Sequence, residues 1–78
     1  MASDPVLDLR GLKCPLPVLR TRQALRQQAA GARLVVEATD PMSAIDIPHM
    51  CNEDGHRLVA QVRDGELIRF TIEKRAAS

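Results

Sequence analysis

The segment His56–Lys74, HRLVAQVRDGELIRFTIEK, decides the fold. Two alternating runs flank Asp64-Gly65, a dipeptide favoured in tight type I′ hairpins, where both central residues take positive φ. Leu58, Ala60 and Val62 alternate with Val59, Gln61 and Arg63. Ile68, Phe70 and Ile72 alternate with Leu67, Arg69, Thr71 and Glu73. A period of two puts each set on its own face, so the segment reads as a β-hairpin with one buried side.

Upstream, RLVVEAT (Arg33–Thr39) is a strand rich in β-branched residues. Val6–Arg10 is a shorter one, with Leu7 and Leu9 on one face and Asp8 on the other. Between them, from about Pro15 to Ala30, the period becomes helical. Val18, Thr21, Leu25 and Ala29 share one side, and Arg20, Gln23, Arg26 and Gln27 lie opposite. Leu19 falls on the polar side and is expected to be exposed. Gly31 closes the helix as its cap. The region from Asp40 to Gly55 opens with Asp40 as N-cap and Pro41 at the first helical position. Pro48 is awkward inside a continuous helix. A short turn and a restart are expected, with Asp46 capping the second piece and Ile47 and Cys51 facing the core. Asp54-Gly55 ends it.

The order is β-α-β-α-β-β. The expected architecture is an α/β, or α+β, two-layer sandwich: a mixed four-stranded sheet with two helices packed on one face. The other sheet face is open, and the pattern leaves strand order undetermined. One domain spans residues 5–74, with frayed ends at 1–4 and 75–78.

At 78 residues, the chain builds one modest core and no deep cleft walled by its own side chains. With one Phe, no Trp and no Tyr, it has no stacking platform for single-stranded nucleic acid. A net charge of +1 gives no strong field for phosphate backbones, so direct nucleic-acid binding is not expected. No apolar run approaches membrane-spanning length, and MASDPVLDLR (Met1–Arg10) lacks the layout of a signal peptide. A cytoplasmic location without membrane attachment is expected, and two cysteines there are free thiols rather than a staple. Nothing in the sequence requires more than a monomer.

Cys14 lies in GLKCPLPVLR (Gly11–Arg20), where the first strand ends and the first helix begins. In α/β sheets this carboxyl edge is the usual place for a site. Pro15 and Pro17 stiffen it, and at a helix start they give up only donors that lack intrahelical partners. The helix N-terminus and Lys13 favour the Cys14 thiolate, whereas Asp40, ending the second strand on the same edge, opposes it. Cys at position 17 would make a C-x-x-C redox pair, but proline there can resolve nothing. A lone exposed thiol suits holding and passing a sulfur atom. Cys51, four residues after Ile47, reads as a buried core residue. His49, Cys51 and His56 have no spacing of a common structural metal site, so no metal is assigned.

LDLRGLKCPLPVLR (Leu7–Arg20), VEATDPMSAIDIPHMCNEDGHRLV (Val36–Val59) and the G-x-x-x-x-F-x-I-x-K ending at Gly65–Lys74 resemble the TusA/SirA-like sulfur carriers. The C-P-x-P motif at Cys14–Pro17 is supported by T-D-P at Thr39–Pro41, D-I-P at Asp46–Pro48 and G-H at Gly55–His56. The resemblance implies a βαβαββ sandwich. It implies that Cys14 accepts persulfide sulfur from a cysteine desulfurase or rhodanese-type donor and passes it to an acceptor protein. No cofactor is implied, because the sulfur rides covalently on Cys14. Asp40 becomes a candidate for shaping the site. Members that serve thiolation of tRNA wobble uridine often carry Glu between the two prolines; here Leu16 offers an apolar contact. Molybdenum-cofactor supply and sulfur oxidation are the other destinations the family implies.

Leu16, Leu19, Arg20 and Arg26 form a candidate docking face on the first helix. A different reading is an interaction module on the open sheet face, using Val59, Leu67 and Arg69, with the thiol incidental. A third is a redox sensor with a Cys14–Cys51 disulfide, which needs the two Cα atoms within ~7 Å.

Overall fold

The computed structural model describes residues 4–75. The elements run β1 (Val6–Leu9), α1 (Leu16–Arg26), β2 (Arg33–Ala38), α2 (Ser43–Asp54), β3 (Arg57–Asp64) and β4 (Leu67–Glu73). The four strands form one mixed sheet in the order β1-β2-β4-β3. β1 and β2 pair in parallel, as their helical crossover demands, and β4 lies antiparallel between β2 and β3. The second crossover therefore passes over the position that the returning hairpin strand fills. Of the ends expected to fray at 1–4 and 75–78, all but Asp4 and Arg75 lie outside the described residues. Arg75 is anchored, its backbone N–H donating to His56 Nδ1 at 3.1 Å.

One sheet face carries the core. Leu34, Val36 and Ala38 of β2 stand opposite Ile72, Phe70 and Ile68 of β4, and all six are buried. Leu9 joins them from β1, Leu25 from α1, and Ile47, Met50 and Cys51 from α2. Every buried strand side chain has the same parity, so both helices cover that face. The opposite face is open and charged: Arg69 pairs with Glu37 at 2.8 Å and Arg33 with Glu73 at 3.6 Å. The residues expected to serve an interaction module divide there. Val59 and Leu67 are half-buried, and Arg69 is exposed but occupied by Glu37.

Four local expectations need correction. First, α1 ends at Arg26 with Gln27 as its C-cap, so Ala29 lies outside the helix and is exposed. Gly31, with φ +82°, instead sits in the loop and donates its N–H to the Lys74 carbonyl. Second, the hairpin turn is Gly65-Glu66, since Asp64 pairs with Leu67. Positive φ is confined to Gly65, and the sign pattern is that of type II′ rather than I′.

Third, β3 does not alternate evenly. A bulge between Leu58 and Ala60 leaves Val59 without a partner. Leu58 stays with core-facing Ile72, but Gln61 and Arg63 then stand opposite Phe70 and Ile68, on the helix side. Ala60 and Val62 turn to the open face. Fourth, α2 is one helix running straight through Pro48. Proline at 48 cannot donate to the Ala44 carbonyl four residues back. The bulge brings Gln61 to that spot, and its Nε2 donates to Ala44 O at 3.5 Å. The two irregularities offset each other. Asp46 is consequently a first-turn residue of α2, not a cap, and Gly55 ends the helix in the left-handed conformation at φ +78°.

Candidate functional site

The site follows from parallel pairing. Because Leu9 stands beside Ala38, β1 and β2 end together and their outgoing loops lie side by side. The T-D-P segment after β2 holds the loop after β1. Thr39 Oγ1 accepts from the Gly11 N–H at 2.9 Å, and Asp40 Oδ2 accepts from the Cys14 N–H at 2.7 Å. The other oxygen of Asp40 accepts from the Met42 N–H at 3.2 Å. Asp40 thus caps the approach to α2 by side chain, although the helix itself begins at Ser43 with Met42 as N-cap. One carboxylate ties the thiol-bearing loop to the head of α2.

Cys14 is exposed and free, and Cys51 is free and buried at 1% exposure. Desolvation pushes the Cys51 thiol up to about 11, as expected for a core sulfur. The peptide between Cys14 and Pro15 is cis. Cys14 Sγ donates to Asp46 Oδ2 at 3.2 Å. The thiol is therefore raised from its ordinary value, first by this hydrogen bond, then by desolvation, then by the charges of Asp46 and Asp40.

The balance left open between the α1 N-terminus and Asp40 falls on the side of a raised thiol. Pro15 and Pro17 carry no N–H, and Leu16's is taken by the Lys13 carbonyl at 2.9 Å. Two donors at the helix end are absent and a third is occupied, while a carboxylate touches the sulfur. Lys13 does not offset this. It lines a different hollow of about 390 Å³, together with Thr39, Asp40, Pro41 and Arg63.

Cys14 opens instead onto a groove of about 220 Å³ between the helices, where Pro15, Val18, Arg22, His49, Met50 and Glu53 form the remaining wall with Asp46. Arg22 spans it, donating through Nε to Asp54 Oδ2 at 2.8 Å. Pro17 is buried beneath the thiol loop, while Leu16 and Leu19 are 40% and 48% exposed. Arg20 and Arg26 are also exposed. Arg26 lines a separate basin of about 560 Å³ at the far end of α1, with Lys74 and Arg75. That basin shares Arg22 and Glu53 with the thiol groove, but Arg26 lines only the basin. Among the described residues, no three His, Cys, Asp or Glu side chains converge as metal ligands, and no helix is long and apolar enough to cross a membrane.

Sequence reasoning missed Asp46 and Arg22. Reading a helix restart at Pro48 turned Asp46 into a cap. Carrying the helix back through Pro48 would have placed it in the first turn, near the β1–α1 loop.

Comparison with known proteins gives a consistent result. Residues 6–74 match the family described as sulfurtransferase TusA. The sulfur carrier protein TusA of Pseudomonas putida strain GB-1 is 47% identical over 73 residues, spanning 94% of this chain and 91% of that protein. A putative sulfur carrier protein, YrkI of Bacillus subtilis, is 39% identical over 74 residues, covering 95% and 99%. The crystal structure of a SirA-like protein from Desulfitobacterium hafniense superposes with a TM-score of 0.78 at 26% identity, covering 91% of this chain and 97% of that one. With its thiol-bearing loop between β1 and α1 and a family match that takes in every strand and both helices, the chain belongs to the TusA sulfurtransferase family of sulfur carriers.

Proposed function

We propose that the protein carries sulfur as a persulfide on Cys14, accepting it from a cysteine desulfurase or rhodanese-type donor and delivering it to an acceptor protein. The observation that carries this reading is the placement of the two thiols. Cys14 is exposed at the carboxyl edge of the sheet, Pro17 stands where a resolving cysteine would be, and Cys51 is sealed in the core.

In loading, the Cys14 thiolate attacks the outer sulfur of the donor persulfide. An S–S bond forms at Cys14 and the donor's S–S bond breaks. The donor cysteine leaves as thiolate and takes up one proton for the one Cys14 gave up, so no oxidant or reductant is consumed. Delivery repeats the step, with an acceptor nucleophile attacking the outer sulfur and Cys14 leaving. No resident cofactor takes part. Leu16 and Leu19 give partners an apolar contact beside the thiol, and Arg20 adds a charge. The reading places the protein in a reducing compartment such as the cytoplasm, and its product is set by the acceptor.

The test is intact mass after incubation with a cysteine desulfurase and cysteine. A reductant-sensitive gain of ~32 Da is expected on wild type and Cys51→Ser, and none on Cys14→Ser. No gain on wild type with desulfurase and rhodanese donors alike would refute the carrier reading.

A further inference from the structure

The contact between Cys14 and Asp46 is unexpected for a nucleophile. Charged groups from three elements lie around Cys14. Asp40 in the loop after β2 holds its backbone, and Arg22 of α1 and Asp46, His49 and Glu53 of α2 line the groove it opens onto. The basic side chains nearby have other contacts. Arg22 donates to Asp54, His49 lies 3.5 Å from Glu53, and Lys13 lines another hollow. Among the described residues only Asp46 bonds the sulfur itself, at 3.2 Å, while Asp40 fixes the backbone N–H of the same residue at 2.7 Å. A thiol can donate to a carboxylate; a thiolate facing the same carboxylate has lost that bond and gained a repulsion.

We propose that Asp46 is a positioning residue of the carrier reaction: its carboxylate latches the empty Cys14 thiol in the protonated form and holds the sulfur against α2. The proposal rests on the persulfide reading for its purpose. Its hydrogen bond is open only to the empty carrier. After loading, the terminal S–H sits one sulfur further out, about 2.05 Å beyond the inner sulfur, and the atom facing Asp46 no longer bears hydrogen. The empty carrier is thereby protected from stray electrophiles and disulfides until a donor displaces the contact.

The test is the pH dependence of Cys14 alkylation by iodoacetamide, read by peptide mass mapping so that Cys51 does not interfere. It is run on wild type, Asp46→Asn and Asp46→Glu. The Asn variant should titrate at lower pH. Thiolate nucleophilicity follows basicity with a coefficient of about 0.4–0.5. For each unit the midpoint falls, alkylation near pH 7 should therefore rise about three- to fourfold. Above both midpoints it should fall about threefold, so the two profiles cross. Asp46→Glu, which keeps the charge, should stay near wild type. A merely structural role would change both limbs in the same direction. An unchanged or upward-shifted midpoint in Asp46→Asn would overturn the proposal. Should that variant not fold, wild type decides alone: its midpoint must lie above the ~8.5 of a free thiol, and a lower value refutes the latch. Alkylation needs no sulfur donor, so a failed persulfide assay leaves this result intact, and the converse also holds.

Discussion

Asp40→Ala tests whether one carboxylate ties the thiol loop to α2. The change removes two acceptors, one for the Cys14 N–H at 2.7 Å and one for the Met42 N–H at 3.2 Å. Hydrogen bonds to charged groups contribute about 1.5–3 kcal/mol where water is excluded. Both bonds here are near the surface, so water replaces part of each. Loss of a capping side chain costs ~1 kcal/mol. The expected total is about 1–2 kcal/mol. A domain of this length holds roughly 4–12 kcal/mol of stability, and each kcal/mol moves Tm by about 4–8 °C, so a fall on the order of 10 °C is expected. Urea unfolding followed by circular dichroism measures the difference, with an unchanged m-value showing that both chains unfold to the same extent. Amide exchange of Cys14 supplies the local readout: its protection should vanish. Asp40→Asn, which keeps one acceptor oxygen, should recover about half the loss. A cost under about 0.5 kcal/mol, or an Asn variant no better than Ala, would refute the tether.

Other consequences are separable. Phe70, the single aromatic, is fully buried at the centre of β4; Phe70→Ala should cost about 3–5 kcal/mol, visible as a denaturant midpoint reduced by about half or lost. Gln61→Ala should destabilise by about 0.5–1 kcal/mol in wild type and by less in a Pro48→Ala background, where residue 48 has an N–H of its own for Ala44 O; equal costs in the two backgrounds would break the compensation argument. His56 is held below its usual pKa of 6.5, first by desolvation and then by nearby cations, and its Nδ1 accepts a bond that needs the neutral ring. Its folded value lies below the unfolded one, so its stability contribution is full above about pH 6.5 and is lost as pH falls through the folded value. His56→Gln should flatten the stability profile in that window.

The element order and the buried faces of β2 and β4 were legible because strict alternation and helical spacing are properties of short windows. Cys51 was legible for the same reason, being four residues from Ile47 on one helix face. What escaped was relational. The bulge at Val59 reverses the downstream faces of β3, and nothing in RLVAQVRD marks it. The unbroken α2 depends on Gln61, thirteen residues beyond Pro48 in sequence, reaching a carbonyl on another element. The acidic lining of the thiol came only with tertiary structure, since Asp46 is thirty-two residues from Cys14. The α1 N-terminus also lacks two of the donors that give a helix its positive end, because the motif that marks the site puts prolines there.

The raised thiol bears on both halves of a carrier's cycle. A more basic sulfur is the better nucleophile once ionised but the poorer leaving group. Cys14, bonded to Asp46 and close to Asp40, is therefore suited to hold a sulfur rather than to release it. Attack on the outer sulfur by a small free thiol must expel a thiolate beside two carboxylates, and that repulsion slows spontaneous discharge. On the carrier reading, an acceptor protein that brought a cation to the groove would reverse the balance at the moment of transfer, because the same two carboxylates would attract it. On this argument the acidic lining gives selectivity in discharge: small thiols meet the unfavourable leaving group alone, and a docked acceptor does not. Persulfide lifetime in glutathione is the corresponding measurement, and it should shorten in Asp46→Asn. An equal lifetime in the two proteins would mean that Asp46 governs only the empty state.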